Sequence, residues 1–100
     1  MTLIDTYSAD IKRICSIYNV KSLYAFGSVI SDQFNEKSDV DFIVDFNAID
    51  IKNYADNYFD FKFSLQDILN RNIDLIEEKA IKNPYFKKSV NKQRKLVYGH

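Results

Sequence analysis

The sequence predicts a mixed α/β (α+β) fold, a small mixed β-sheet with helices packed on it, in the order α-β-β-α-β-α. Two stretches carry apolar residues at spacings of three and four, which is the period of a helix face packed on a core. Three short runs rich in β-branched and aromatic residues read as strands. The chain has 100 residues, with neither an internal repeat nor a linker. That length suits one domain spanning 1–100.

The first helix is predicted near residues 3–18, where Ile4, Tyr7, Ile11, Ile14 and Tyr18 form one stripe. Thr2 or Asp5 could cap its start, and Asn19 could end it, because Asn tolerates the left-handed conformation. Val20–Phe26 is the first strand and Val40–Phe46 the second. Residues 27–38 between them are polar and form a loop that could hold one helical turn after Ser28. Ile51, Tyr54, Ala55, Tyr58 and Phe59 begin a second helical stripe, continued by Leu65, Ile68 and Leu69, with Asn70 as its stop. At helical spacing the aromatics Tyr54, Tyr58, Phe59, Phe61 and Phe63 are expected to cover a small sheet rather than to stack on bases. Ile73–Ile76 is the third strand, and Pro84 can open a last helix over 84–95.

Apolar residues make up 46% of the chain and aromatics 15%, a globular rather than a disordered composition. Acidic and basic residues balance at 14 each, so no overall field draws the protein to nucleic acid or membrane. The balance is uneven along the chain. Ser31–Asp60 holds eight acidic and two basic residues, and Ile81–His100 six basic and no acidic ones. The basic segment reads either as a solvated helix face or as a cationic strip for an anionic ligand or partner. Cys15 is the one cysteine. It excludes an internal disulfide and a cysteine metal cluster, fits a reducing cytoplasmic setting, and reads as core filler. No apolar run reaches membrane-spanning length, and nothing resembles a signal peptide. His100 is the sole histidine and the last residue, which argues against histidine-based catalysis.

The chemistry is concentrated in residues 27–41 and at Asp74. Strand residues i and i+2 point to the same side, so Asp39 and Asp41 project together if they open the second strand. Two adjacent carboxylates repel, and a hard divalent cation would reconcile them. Asp74 lies within the apolar run Ile73-Asp-Leu-Ile, where a lone buried charge is costly unless paired or ligated. If that strand lies beside 40–46, Asp39, Asp41 and Asp74 can share one or two cations in a phosphoryl-transfer site. Gly27 lets backbone approach phosphate oxygens, and Ser28 adds a hydroxyl donor.

Phe26-Gly-Ser28, the gap to Asp39-Val-Asp41, and Ile73-Asp-Leu75 together resemble the DNA polymerase β-like nucleotidyltransferase superfamily. The chain is most similar there to the minimal nucleotidyltransferases, from the first helix to Asn83-Pro84-Tyr85 and the basic tail. The resemblance implies Mg²⁺-dependent transfer of a nucleoside monophosphate, AMP from ATP, to a hydroxyl, with two ions and with Mn²⁺ as a substitute. Gly27 and Ser28 would bind the nucleotide's phosphates. Asp39, Asp41 and Asp74 would be both metal ligands and catalytic residues, with Asp74 helping to deprotonate the acceptor. It also implies an antitoxin role beside a HEPN-domain toxin, with a toxin tyrosine as acceptor and no nucleic acid required. Two alternatives stay open: a weakly catalytic or non-catalytic binding partner, and transfer to a small molecule or RNA. The minimal group usually carries a basic residue and an Arg-Gly pair after Gly-Ser. Here Val29, Ser31 and Asp32 hold those positions. Compensating charge could come from Lys37, Arg71, Lys87 or Lys88.

Overall fold

The protein is described by a computed structural model covering residues 2–27 and 39–99. The N-terminal stripe folds as two helical segments, α1 (Thr2–Thr6) and α2 (Ser8–Ile17), rather than one. The interruption falls at Tyr7, whose φ of −105° and ψ of 17° depart from helical values. The two segments remain linked through Tyr7, whose N–H donates to Leu3 and whose carbonyl accepts from Ile11. Asn19 has φ 61°, so the chain leaves α2 through the left-handed residue that the sequence supplies.

β1 (Val20–Phe26) and β2 (Val40–Phe46) pair antiparallel, with Leu23 opposite Val44 and Phe26 opposite Asp41. α3 (Ile51–Leu69) then crosses over to β3 (Ile73–Glu77), which pairs parallel with β2. A parallel partner requires such a crossover, and a helix is its usual form. Asp50 caps α3 by accepting from the Lys52 N–H, and Asn70 ends it with φ 53°. A single 3₁₀ turn, Glu78–Ala80, precedes α4 (Pro84–Gln93). There Pro84 occupies the first turn, and the Asn83 side chain accepts from the N–H groups of Tyr85 and Phe86.

The last helix ends at Gln93, two residues earlier than its predicted end, and the chain continues as β4 (Lys95–Tyr98). This strand pairs antiparallel with β1 and completes the sheet order β3-β2-β1-β4. Gly99 explains how β4 seats so closely. Its φ is +85°, and a Cβ there would lie 2.1 Å from the Lys21 carbonyl oxygen. No other residue type tolerates both conditions.

One face of the sheet carries the main core. Val40, Phe42, Val44 and Phe46 of β2 meet Ile11, Ile14 and Cys15 of α2 and Phe61, Leu65 and Leu69 of α3. Edge-to-face contacts link Tyr54, Phe46 and Phe61, with Tyr18 tilted against Phe61. The Asn57 amide donates to the Tyr18 carbonyl and ties α3 to the end of α2. Burial pushes the Cys15 thiol up to about 12, which makes it the inert filler that its position predicts. The expectation that all five α3 aromatics cover the sheet holds for Tyr54, Tyr58 and Phe61. Phe59 and Phe63 stack on each other on the surface, at 49% and 53% exposure. Helical periodicity marks an apolar arc, and here that arc is wider than the sheet beneath it.

α4 meets the opposite face through a few side chains. Phe86 sits against Phe26, and the Arg94 guanidinium lies 4.0 Å above the Tyr24 ring. Arg94 also donates to Glu78 at 2.6 Å, which fixes the end of α4 to the turn after β3. Ile43 and Val90 are buried outside the main core cluster.

Candidate active site

Asp41 is the second residue of β2 and Asp74 the second residue of β3, and the parallel register makes them direct neighbours. Neighbouring residues in register share a face of the sheet, so both carboxylates project from the α4 side of it. Asp39 precedes β2 by one residue and is exposed. The strand placement expected for Asp74 is therefore found, but the reason given for it is not. Asp74 is exposed on an edge strand, so burial imposes no penalty there. The alternation of β3 turns Ile73 and Leu75 into the core and leaves Asp74 outside.

Asp41 is half-buried, and its carboxyl is held above the usual carboxylate range. Loss of solvation is the largest cause, followed by the negative charges of Asp74 and Asp39. Those two couplings place the three carboxylates in one electrostatic neighbourhood. Among the described residues, no three His, Cys, Asp or Glu side chains converge closely enough to hold a metal as they stand.

Gly27 ends β1 beside this pair, with φ +76°. A Cβ there would lie 2.6 Å from Asp41 Oδ2, so the absent side chain is what leaves room for the Asp41 carboxylate. The glycine predicted to admit phosphate thus lies directly against the predicted metal ligand. Ser28, Val29, Ser31, Asp32 and Lys37 lie outside the described residues. Arg71 is half-buried and already engaged in an interaction.

Sequence reasoning assigned Tyr58 to core cover and missed its hydroxyl. Tyr58 is half-buried against the core, and its O–H donates to the Leu75 carbonyl of β3, one residue after Asp74. Burial, and secondarily the Asp74 charge, raise its phenol above the ordinary value. The spacing from Tyr58 to Leu75 across a crossover helix carries no local signal that could have revealed this bond.

A second pair of carboxylates lies at the other end of the same strands. Glu77 of β3 is opposite Val44, and it feels Asp45 of β2. Burial raises its carboxyl most, Lys79 lowers it and Asp45 raises it. One Glu77 oxygen, Oε1, is buried without a hydrogen-bond partner. The pair borders a cavity of about 310 Å³, lined also by Phe46, Asn47, Tyr54 and Lys79.

A glycine-ended strand, an antiparallel neighbour opening on Asp-Val-Asp, and a parallel third strand with one more aspartate define a nucleotidyltransferase-type domain. Residues 9–100 match the family model described as polymerase beta, nucleotidyltransferase. The chain belongs to that family and is a nucleotidyltransferase.

Two relatives, both provisionally named protein adenylyltransferases of Methanocaldococcus jannaschii, are 40% and 37% identical over 81 residues. Each alignment covers 81% of this chain and 78% of the relative. Among solved structures, a toxin–antitoxin complex with AMP-PNP superposes with TM-score 0.71 at 19% identity, over 93% of this chain and 73% of the other. A tri-AMPylated Shewanella oneidensis HEPN toxin in complex with an MNT antitoxin gives 0.66 at 17% identity, over 97% and 73%. A provisionally named minimal nucleotidyltransferase gives 0.70 at 21% identity, over 92% and 93%. At these identities the structural likeness shows the fold.

Proposed function

We propose that this nucleotidyltransferase moves AMP from ATP to a hydroxyl, with Mg²⁺ held by Asp39, Asp41 and Asp74, and that the acceptor is a tyrosine of a HEPN-type toxin. The observation that carries the reading is the Asp41–Asp74 register with Gly27 against Asp41. The names of the relatives and the complexes with which the fold superposes support the adenylyl group and the partner.

The donor set suits a hard cation. All three groups are carboxylates, and the charged form of Asp41 is destabilised first by burial and then by the other two, so a cation there offsets both. Asp39 is exposed and outside the strand, so its side chain can swing toward the pair. Mg²⁺ when bound would neutralise phosphate charge and acidify the acceptor hydroxyl. In the transfer itself the acceptor oxygen forms a bond to the α-phosphorus, and the bond from that phosphorus to the pyrophosphate oxygen breaks. The acceptor proton passes to Asp74, whose exposed position leaves it open to an incoming side chain. Tyr58 steadies the adjacent backbone, and Gly27 admits the phosphates without a side chain in the way.

A second reading, silencing of the partner by contact alone, draws on Val29, Ser31 and Asp32, which replace the basic residues of the minimal group. Intact-mass measurement of a co-expressed HEPN partner separates the two. A mass gain of one AMP or more is expected with the native chain, and none with the Asp39→Ala/Asp41→Ala double variant. A double variant that silences the partner with no mass gain would establish the contact reading instead.

A further inference from the structure

We propose that Phe86, seated on Phe26, is the stacking platform for the base of the nucleotide substrate. The inference rests on the transfer reading above and deepens it by naming the side chain that holds the adenine base.

The placement follows from strand register. Phe26 and Asp41 are direct partners in the antiparallel pair, so their side chains leave the same face with Cβ atoms about 4.5–5.5 Å apart. Asp74 is the next neighbour across, on that face again. Phe86 packs against Phe26 with ring centroids 6.5 Å apart and planes at 79°, so an aromatic side chain from α4 meets the strand partner of Asp41. Phe86 lies outside the main core cluster and is 42% exposed.

α4 does not depend on Phe86 for its position. Val90 is buried at 3% exposure, Arg94 is held by Glu78 and Tyr24, and Asn83 caps the first turn. An exposed ring on a helix anchored by other residues, one ring away from the proposed triphosphate site, is surface that a base can cover. Stacking on a fixed aromatic requires no particular hydrogen-bond pattern and is strongest for large ring systems. Lys87 and Lys88 follow Phe86 in the same exposed turn of α4.

Calorimetric titration of the full chain with Mg²⁺–ATP and with Mg²⁺–tripolyphosphate tests the platform, because the second probe has no base. The native chain should bind ATP more tightly than tripolyphosphate. Phe86→Leu, which keeps apolar volume, should weaken ATP about tenfold and leave tripolyphosphate unchanged. Phe86→Trp should retain ATP affinity. Equal affinity of the native chain for both probes overturns the platform while leaving the transfer reading intact. So does an equal loss of both probes in Phe86→Leu, or unchanged ATP affinity in that variant with lost modification of a HEPN partner, which would mark a partner contact. A native chain that binds neither probe would remove the transfer reading and the platform with it.

Discussion

β2 and β3 carry two carboxylates at each end, in register at one end and offset by a residue at the other, and the two ends differ in what surrounds the charge. At the far end Glu77 and Asp45 have Lys79 beside them, an ammonium that partly offsets their repulsion. At the near end the charges acting on Asp41 among the described residues are Asp74 and Asp39, both negative. The far pair is walled by Phe46 and Tyr54, and the near pair is edged by a glycine. Carboxylates near each other are thus no sign of a site by themselves: Asp41 and Asp74 are register partners on one face, whereas Glu77 is partnered by Val44 and Asp45 follows on the other face. Two aspartates in register, with no cation acting on Asp41 among the described residues and with backbone bared by a glycine beside them, single out the near end as a place for a metal and a phosphate.

The sharpest way to break this comparison is to remove one aspartate from each end. Asp41→Ala should lower the rate of AMP transfer by about a thousandfold or more, since several kcal/mol of transition-state charge stabilisation would be lost. Asp45→Ala should leave it within about threefold, the loss expected of a residue without contact to the reacting groups. Similar losses in single-turnover measurements of the two variants would abolish the distinction.

The glycine that edges the near pair comes next. Gly27→Ala places a methyl 2.6 Å from Asp41 Oδ2 at a φ of +76°. It should destabilise the fold by about 1–3 kcal/mol and weaken Mg²⁺–ATP binding, because the methyl displaces the carboxylate. A variant with native melting temperature and native affinity would show that Asp41 needs no such clearance.

The smallest effect concerns metal-free stability. Folding raises the carboxyl of Asp41, so it disfavours the charged form. The stability linked to that group is full below the ordinary carboxylate pKa and is lost as pH rises through the raised value. Asp41→Asn should therefore melt above the native chain at neutral pH without metal, by less than about 1 kcal/mol for this solvent-screened group. The gain should vanish on acidification below the ordinary carboxylate range and reverse when Mg²⁺–ATP is added. Glu77→Gln, where Lys79 compensates, should gain less at neutral pH. Thermal melts across pH with and without metal read all of these signs, and a neutral-pH loss in Asp41→Asn would mark Asp41 as structurally required.

Much of the fold was legible because its signals are local. The limits of β1 and β2, the αL stops at Asn19 and Asn70, and Pro84 at the start of α4 depend on neighbours in sequence. β4 was not legible. Lys95–Tyr98 is four residues long and continues a basic helical stretch, and its pairing with β1 depends on Gly99 passing the Lys21 carbonyl. The interruption at Tyr7 was hidden for the same kind of reason, since the apolar stripe runs through it unbroken. In the candidate site, the meeting of Asp41 with Asp74 and with Gly27 follows the expected strand pairing, although Asp74 was assigned to a buried setting that the edge position of β3 removes.

The sequence by itself determined which residues carry charge, which face of each strand they occupy, and the family to which the chain belongs. Side-chain alternation and motif spacing are properties of the chain, independent of how distant parts meet. Tertiary structure alone decided that Asp74 stands beside Asp41, that the Tyr58 hydroxyl holds the strand next to it, and that α4 brings Phe86 to Phe26. Each of these is a contact between elements joined by a helix or a long connection. Such contacts follow from strand order and packing, which no local pattern encodes.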